Sequence, residues 1–313
     1  MSVSSSLGGG GRASIAVVIP AGDAPATLDR CLAALAAGER QPDETVVQSE
    51  PAGAGPAQAR NAGAARSGAE LLVFVDSDVE VHPDALARIE RHFAADPALA
   101  AVFGAYDQEP AAPGLTSRFR NLLHHHVHAS SAGEAETFWA GLGAIRRDSF
   151  EAVEGFDEAR FPGASVEDID LGMRLRGSGH RILLDPAISG CHLKAWTPLS
   201  MVRTDFSRRG VPWVRLVLRE RRGAMALNLG WRHRFGALAS ALLVGAILIR
   251  RPRAALAALL ALVALNRRLY ALLARRGGPS LLLAGIGLHV VHQLTAIAAV
   301  PAAIAVHLRE GRR

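Results

Sequence analysis

The sequence predicts an α/β domain built on a parallel sheet, followed by membrane-associated helices. Short apolar strands alternate with helical patterns between residues 14 and 78, which is the rhythm of a parallel sheet. After residue 200, long apolar runs alternate with arginines, a pattern typical of segments that end at a membrane surface. These two patterns divide the chain into two parts.

The distribution of charged residues also changes near residue 200. Residues 201–313 contain 19 arginines, no lysine and three acidic residues, whereas the first 200 residues contain 16 basic and 26 acidic ones. A nucleic-acid-binding protein usually spreads its basic residues over one folded face, together with aromatic or polar side chains that contact the bases. Arginines at the ends of apolar runs instead predict membrane lipids as partners and no nucleic acid. Two cysteines, Cys31 and Cys191, are too few for a disulfide framework, so a reduced cytosolic setting is predicted.

Composition also predicts the domain boundaries. Residues 1–12 are rich in Ser and Gly and are predicted to be a flexible leader without a signal peptide. Residues 13–198 form the α/β domain, residues 199–233 an interfacial amphipathic segment, and residues 234–313 the transmembrane or membrane-anchoring helices. Within the last segment, residues 280–308 are long enough to span a bilayer.

The first elements follow from apolar spacing and turn residues. A buried strand over residues 14–20 stops at a proline, and the spacing predicts a helix over residues 27–37. A second strand is predicted over residues 44–48. A loop rich in Gly, Pro and Ala then leads into a helix of small residues over 57–67.

The third strand, residues 71–75, ends at two carboxylates, Asp76 and Asp78. Ligands of open α/β sheets bind beyond the carboxyl ends of the strands. Paired carboxylates there suit a hard divalent cation, Mn²⁺ or Mg²⁺, that binds phosphates. The alternative is that Asp78 caps the helix predicted over residues 83–93.

Three later stretches carry candidate functional residues. Residues 121–129 contain four histidines, of which His124 and His128 have a metal-compatible spacing, although a helix that is solvated or faces a bound substrate is favoured. In residues 138–147, glycines allow close approach of a ligand and Trp139 can stack on a sugar. In residues 165–175, apolar residues at 166, 169, 171 and 175 predict a helix that packs inward, and Asp168 and Asp170, two positions apart, cannot share one face of it.

Seven motifs in this order resemble those of family 2 glycosyltransferases. They are Val-Val-Ile-Pro at 17–20, Thr-Leu-Asp-Arg-Cys-Leu at 27–32, Ala-Arg-Asn-Ala-Gly at 59–63, Phe-Val-Asp-Ser-Asp at 74–78, Gly-Leu-Gly at 141–143, Gly-Phe-Asp at 155–157 and Glu-Asp at 167–168. The resemblance implies the GT-A fold, with a Rossmann-like mixed sheet, and an inverting enzyme that uses a nucleotide-diphosphate sugar and Mn²⁺ or Mg²⁺.

The resemblance also implies roles for individual residues. Asp168 would be the catalytic base and Glu167 its orienting neighbour. The implied metal ligands are Asp78, Asp76 and His192. Donor contacts are implied for Pro20, Asp23, Gln48, Arg60, Asn61, Asp76 and Gly143. Acceptor contacts are implied for Trp139, Gly141, Arg208, Arg209 and Trp213. Gln48 stands where the family usually has an aspartate, so the nucleotide base is not fixed by the sequence.

The predicted function is transfer of a sugar to a hydroxyl or phosphate of a lipid-linked or membrane-delivered acceptor. The predicted location is the inner (plasma) membrane, with the catalytic domain facing the cytoplasm. One alternative is a nucleotide-binding scaffold with weak or no catalysis, because Gln48 and the loop at 21–23 depart from the family. A further alternative is a dinucleotide-dependent oxidoreductase, suggested by Gly53-Ala54-Gly55 although Gln58 replaces its third glycine.

Overall fold

The computed structural model describes residues 12–22, 26–49, 51, 53–220, 227 and 230–310. The strands are β1 (Ile15–Pro20), β2 (Glu44–Gln48), β3 (Leu71–Val75), β4 (Val79–Val81), β5 (Leu99–Tyr106), β6 (Gly133–Glu134), β7 (Leu142–Arg146) and β8 (Arg181–His192). The helices that accompany them are α1 (Leu28–Ala36), α2 (Pro56–Ala65), α3 (Ala85–Ala95), α4 (Leu115–Ala129), α5 (Arg147–Ala152) and α6 (Glu167–Gly177).

The strands form one mixed sheet in the order β2-β1-β3-β7-β5-β8-β4, with β6 added beside β8. Strands β2, β1 and β3 are parallel, and so are β5 and β8, whereas β7 runs antiparallel between the two groups. The carboxyl ends of β1, β2 and β3 therefore meet at one edge, where Pro20 pairs with Gln48 and β3 leads into Asp76. The predicted α/β architecture with a mixed sheet is confirmed.

Alternation along the central strands creates two apolar cores. In β1, Val18 faces one side of the sheet and Val17 the other, since successive side chains of a strand point in opposite directions. The Val18 side contains Phe74 and Leu171 and is covered by α2 and α6. The Val17 side contains Ile89 and is covered by α1 and α3. Helices on both faces explain why the strands are apolar throughout.

The structure excludes the helix-cap alternative for Asp78 and the solvated form of the helix expected over residues 121–129. Asp78 does not cap a helix, because β4 follows it directly and α3 begins only at Ala85, after Asp84. Residues 121–129 do not form a solvated helix. They belong to α4, whose residues Asn121, His126 and His128 are buried against the sheet and the C-terminal helices.

The C-terminal region is helical: α7 (Pro198–Arg203), a π-helix (Thr204–Gly210), α8 (Val211–Glu220), α9 (Trp231–Leu248), α10 (Pro252–Leu265) and α11 (Arg267–Glu310). Helix α11 has 44 residues and changes direction at Gly278, whose φ of 65° favours glycine. Among the described helices, α11 alone is long and apolar enough to cross a membrane, by length and composition. It is thus a candidate membrane anchor.

The C-terminal helices pack on the first domain through α4. Phe119 and Leu122 of α4 share an apolar cluster with Leu262 of α10 and with Leu273 and Leu281 of α11. The same helix α4 contacts the sheet on its other side, where a hydrogen bond of 2.9 Å joins the His128 ring to the Gly104 carbonyl. Helix α4 therefore connects the sheet with the C-terminal helices.

Candidate active site

The turn between β3 and β4 holds Asp76 and Asp78 in fixed positions. The Asp76 amide donates to the Gly141 carbonyl at 3.1 Å, and the Val79 amide donates to the Asp76 carbonyl at 3.0 Å. The Asp78 carbonyl accepts from the Leu193 amide at 2.8 Å. Backbone bonds to β7 and β8 thus fix both carboxylates at the edge of the sheet.

Asp78 faces His192, which lies at the end of β8. Their closest side-chain atoms, Oδ2 and Nε2, are 3.6 Å apart. Burial favours a higher pKa for Asp78, but the neighbouring His192, together with the charge of Lys194, outweighs it and lowers the pKa. Asp78 is therefore an anion beside an imidazole.

Asp76 is bound by a buried arginine. Arg60 of α2 donates from Nη2 to Asp76 Oδ1 at 2.8 Å and from Nη1 to Glu167 Oε1 at 2.9 Å. Burial and the neighbouring Asp78 raise the pKa of Asp76, although Arg60 acts in the opposite direction. The guanidinium thus connects the turn after β3 with the first residue of α6.

Asp168, the next residue of α6, makes no salt bridge among the described residues, whereas its neighbours Glu167 and Asp170 both pair with arginines. Its Oδ2 accepts from the Ala140 amide at 3.3 Å, beside Gly141. Burial and the adjacent charge of Glu167 raise the pKa of Asp168 to about 7. Asp170 points elsewhere and pairs with Arg160 and Arg174, as the helical spacing predicts. A carboxylate with a pKa near neutrality is suited to accept a proton.

Gly141 and Gly143 are required by the packing of the segment before them. A Cβ atom at Gly141 would lie 2.4 Å from the Trp139 indole, and one at Gly143 would lie 2.4 Å from the Trp139 carbonyl oxygen. Gly143 also pairs with Phe74 of β3. The two glycines therefore let the Trp139 segment fold closely over β7.

Trp139 belongs to an aromatic cluster with Tyr106, His124, His128 and His192. Tyr106 stacks on His192 with ring centroids 4.1 Å apart, and His124 lies 4.2 Å from Tyr106 and 4.6 Å from Trp139. Burial lowers the pKa of His124 well below its usual value, and the charge of His128 adds to the shift. These rings form an aromatic wall beside Asp78.

Of the remaining donor residues, Pro20 and Gln48 lie at adjacent strand ends, and Gln48 Oε1 accepts from Arg66 at 3.2 Å. Asn61 holds a turn, because its amide group donates to the Phe156 carbonyl at 2.8 Å and accepts from the Phe156 amide at 2.9 Å. Asp23 lies outside the described residues.

The predicted acceptor residues of the C-terminal region lie on two helices. Arg208 and Arg209 are exposed on the π-helix. Arg209 lies close enough to the aromatic wall for its charge to add to the effect of burial in lowering the pKa of His128, which is about 4. Trp213 of α8 packs instead in a small apolar cluster with Val166, next to the start of α6.

A buried ionic network joins this region to α4. Asp205 of the π-helix pairs with Arg120 Nη2 at 3.1 Å and with His292 Nδ1 of α11 at 2.7 Å. Burial would raise the pKa of Asp205, but the charge of Arg120 and the hydrogen bond of His292 lower it to about 2. The π-helix is therefore locked between α4 and α11.

The residues present suit a divalent cation only in part. The described residues contain no cluster of three or more His, Cys, Asp or Glu side chains that could hold a metal. Asp78 and His192 face each other and offer an anionic oxygen and an imidazole nitrogen, whereas one oxygen of Asp76 is occupied by Arg60. A cation here would need further ligands from a bound diphosphate and water.

The motifs did not indicate that Tyr106, Arg120 and Asp205 contribute to the site. Tyr106 is the last residue of β5, and its place after the apolar run of residues 99–105 was the available signal for its role. No sequence pattern marked the Arg120–Asp205 pair, which forms between residues 85 positions apart.

The sequence and the fold resemble those of known glycosyltransferases. Residues 46–153 match the model of Glycosyl transferase family 2. The mannosyltransferase PcManGT from Pyrobaculum calidifontis, solved with GDP-Man and Mn²⁺, aligns with 94% of this chain and 88% of its own, at 18% identity and a TM-score of 0.57. GalNAc-T7, solved with UDP, GalNAc and Mn²⁺, aligns with 67% of this chain and 48% of its own, at 15% identity and a TM-score of 0.45. Among curated proteins, no match was found.

The resemblance drawn from the motifs is confirmed by the family match, and the fold is that of GT-A glycosyltransferases. The first domain is thus a glycosyltransferase domain of the nucleotide-sugar type. The dinucleotide alternative gains no support. Gly55 lies against Pro162, since an added Cβ would be 2.3 Å from the Pro162 carbonyl oxygen, so a packing contact accounts for this glycine.

Proposed function

We propose that this chain is a membrane-associated, metal-dependent, inverting glycosyltransferase that acts on a lipid-linked or membrane-delivered acceptor. The observation that carries the proposal is the position of Arg60 between Asp76 and Glu167. This guanidinium holds the carboxylate turn after β3 and the start of α6 side by side, and we call the region between them the cleft. Asp168 is therefore close to the carboxylates that bind the donor in this proposal.

Asp168 would accept the proton of an acceptor hydroxyl. The acceptor oxygen then forms a bond to the anomeric carbon while the bond from that carbon to the diphosphate breaks, so a single displacement inverts the configuration. Of the other nearby carboxylates, Asp76 and Glu167 are held by Arg60 and Asp170 by two further arginines. This pattern favours one free base over a second carboxylate acting as nucleophile.

Asp78 and His192 are the residues that would hold Mn²⁺ or Mg²⁺, whose charge would stabilise the departing diphosphate. The lowered pKa of Asp78 keeps this carboxylate ionised at neutral pH. Lys194, two residues beyond His192, would add a positive charge near the diphosphate. GDP-mannose, the ligand of the similar mannosyltransferase, is the first donor to test.

Membrane association is supported by the C-terminal helices. Phe235 and Leu242 of α9 and Leu256 and Leu260 of α10 are between 55% and 60% exposed, and arginines lie at both ends of this helical pair. Exposed apolar faces bounded by cations are typical of membrane-associated segments. We propose that α9–α11 anchor the chain at the inner (plasma) membrane, with the first domain on the cytoplasmic side and the exposed arginines of the π-helix near the lipid surface.

A thermal-unfolding panel tests the donor site. Detergent-solubilised protein is heated with GDP, UDP, GDP-mannose or NAD(H), with and without Mn²⁺. A nucleotide at a hundredfold excess over its Kd should stabilise the fold by about 3 kcal/mol. We expect a Mn²⁺-dependent shift that is lost in Asp78→Asn and retained in the control Asp84→Asn, which alters an exposed ion pair with Arg88.

Other results would count against the proposal. A shift with NAD(H) alone would support an oxidoreductase. Nucleotide binding without sugar transfer from any donor would support the scaffold alternative. Recovery of the full chain in the soluble fraction without detergent would contradict membrane association.

A further inference from the structure

A second cavity lies between α4 and the first part of α11. It has a volume of about 530 Å³, and the polar residues that line it are Gln108, His125, His126, Arg267, Arg268 and Arg275. We call it the arginine pocket. Its size lies within the range of small-molecule sites, which is about 300–1,000 Å³.

The arginine pocket is separate from the aromatic wall. His124 of α4 points towards Trp139, whereas the two histidines that follow it point towards the pocket. His125 donates from Nδ1 to the Tyr106 carbonyl at 2.8 Å, so its Nε2 accepts from Gln108 at 3.1 Å. A ligand in the pocket would therefore not occupy the donor site.

No carboxylate in the part of the chain that the structure describes neutralises the positive charge of the pocket. Among the described residues, Arg267, Arg268 and Arg275 make no salt bridge, and no acidic side chain lines the cavity. The nearby Arg276 shows the contrast, because it pairs with Glu109. A fourth cation, Arg232, donates at 3.2 Å to the neutral ring of His126 and not to a carboxylate.

The electrostatic effect of these cations appears at His126. Burial lowers the pKa of His126 to about 4, and the charges of Arg232 and Arg268 add to this shift. A neutral imidazole in a field of cations adds no charge of its own. The surroundings therefore favour an anion that carries more than one negative charge.

We propose that the arginine pocket binds a phosphate group carried by a small molecule or by a lipid headgroup. Planar guanidinium groups donate paired hydrogen bonds that match phosphate oxygens. Three of them converge on one cavity without a competing carboxylate. The apolar side chains of Leu272, Ala271 and Ala129 provide surface for the organic part of such a ligand. This site does not depend on the proposed function of the cleft.

Two probes distinguish the two sources. Equilibrium dialysis with labelled inorganic phosphate, on detergent-solubilised full-length protein, measures a soluble ligand. Thermal unfolding in phosphatidylcholine nanodiscs, with and without phosphatidic acid, measures a lipid headgroup. The pocket variant is Arg268→Gln with Arg275→Gln. The control is Arg250→Gln with Arg253→Gln, which removes the same charge at the other end of the α9–α10 pair.

We expect saturable binding in the parent and the control, and about fivefold weaker binding for each pocket arginine removed. Because both pocket arginines are exposed, the variant should unfold at the parent temperature without ligand. Arg275→Gln alone should show about half of the effect on a logarithmic scale. Asp78→Asn should bind like the parent, which separates this site from the cleft.

A response to inorganic phosphate identifies a soluble ligand, and a response that requires phosphatidic acid identifies a lipid headgroup. Either supports the proposal. Equal behaviour of the parent and the pocket variant with both probes would overturn it. Equal weakening in the control variant would also overturn it, because the attraction would then depend on net charge and not on the pocket.

Discussion

Replacing Arg60 by leucine tests whether the cleft is held together by one buried cation. The guanidinium contacts Asp76 at 2.8 Å and Glu167 at 2.9 Å, and its side chain is 5% exposed. Leucine fills part of the same volume but donates no hydrogen bond. Two carboxylates would then face each other across the cleft without a counterion.

The expected cost follows from burial. Removing one partner of a buried ion pair typically costs about 3–5 kcal/mol, because a charge is left without compensation. Asp76 can relieve part of this cost by taking up a proton, since its pKa is already raised by burial. We therefore expect Arg60→Leu to lower the free energy of unfolding by about 3 kcal/mol at pH 7.5, and less at pH 5.

The control is Arg88→Gln, which removes an arginine that pairs with Asp84 at 2.6 Å while both side chains are about a third exposed. Exposed pairs of this kind contribute about 0.3–0.5 kcal/mol. Urea unfolding of both variants in the same detergent measures the difference. Equal destabilisation by the two substitutions would refute the view that Arg60 holds the cleft together.

Further predictions concern three other residues, Asp168, Asp205 and Gly143. If Asp168 is the base, kcat/KM should rise with pH up to a plateau above about 7, and this limb should disappear in Asp168→Asn; a profile without the limb would contradict the assignment. Because folding raises the pKa of Asp168, ionisation of this group should lower the free energy of unfolding as the pH rises from 4 to 7. Asp168→Asn, which cannot ionise, should therefore increase the free energy of unfolding at pH 8 by about 1–2 kcal/mol, as measured by urea unfolding. Asp205→Ala leaves Arg120 buried without a carboxylate and should lower the free energy of unfolding by about 3–5 kcal/mol. An unchanged urea midpoint would show that this network does not stabilise the packing of the π-helix. Gly143→Ala places a Cβ 2.4 Å from the Trp139 carbonyl oxygen and should lower the free energy of unfolding by about 1–3 kcal/mol, as measured by thermal unfolding. No loss of stability would mean that the Trp139 backbone moves away from the added methyl group without penalty.

The first domain could be predicted from sequence because local patterns determine its parts. The strand over residues 44–48 has the predicted bounds, because a short apolar run between turn residues is typical of a strand. Asp76 and Asp78 could be placed at the sheet edge for the same reason. The short strand β4 was missed because three residues give too little periodicity, and its pairing with β8 joins positions more than 100 residues apart.

The contacts that complete the site could not be predicted in this way. The role of Arg60 depends on Glu167, 107 residues later, and the stacking of Tyr106 on His192 depends on the register between β5 and β8. The burial of α4 arises from helices beyond residue 200 that pack on it. Periodicity shows that a helix has an apolar face, but it does not show which element will cover that face.

The measurement that tests the central claim most directly is release of nucleoside diphosphate from nucleotide sugars by the parent and Asp168→Asn. The assay contains Mn²⁺ and a membrane lipid extract as the source of acceptor, and nucleotide binding is measured on the same preparations. We expect the parent to release diphosphate from a defined donor. Asp168→Asn should be slower by about 10²–10⁴-fold with its nucleotide affinity retained. Equal rates in the two proteins, or no release by the parent from any donor, would contradict the assignment of Asp168 as the base of a glycosyl transfer.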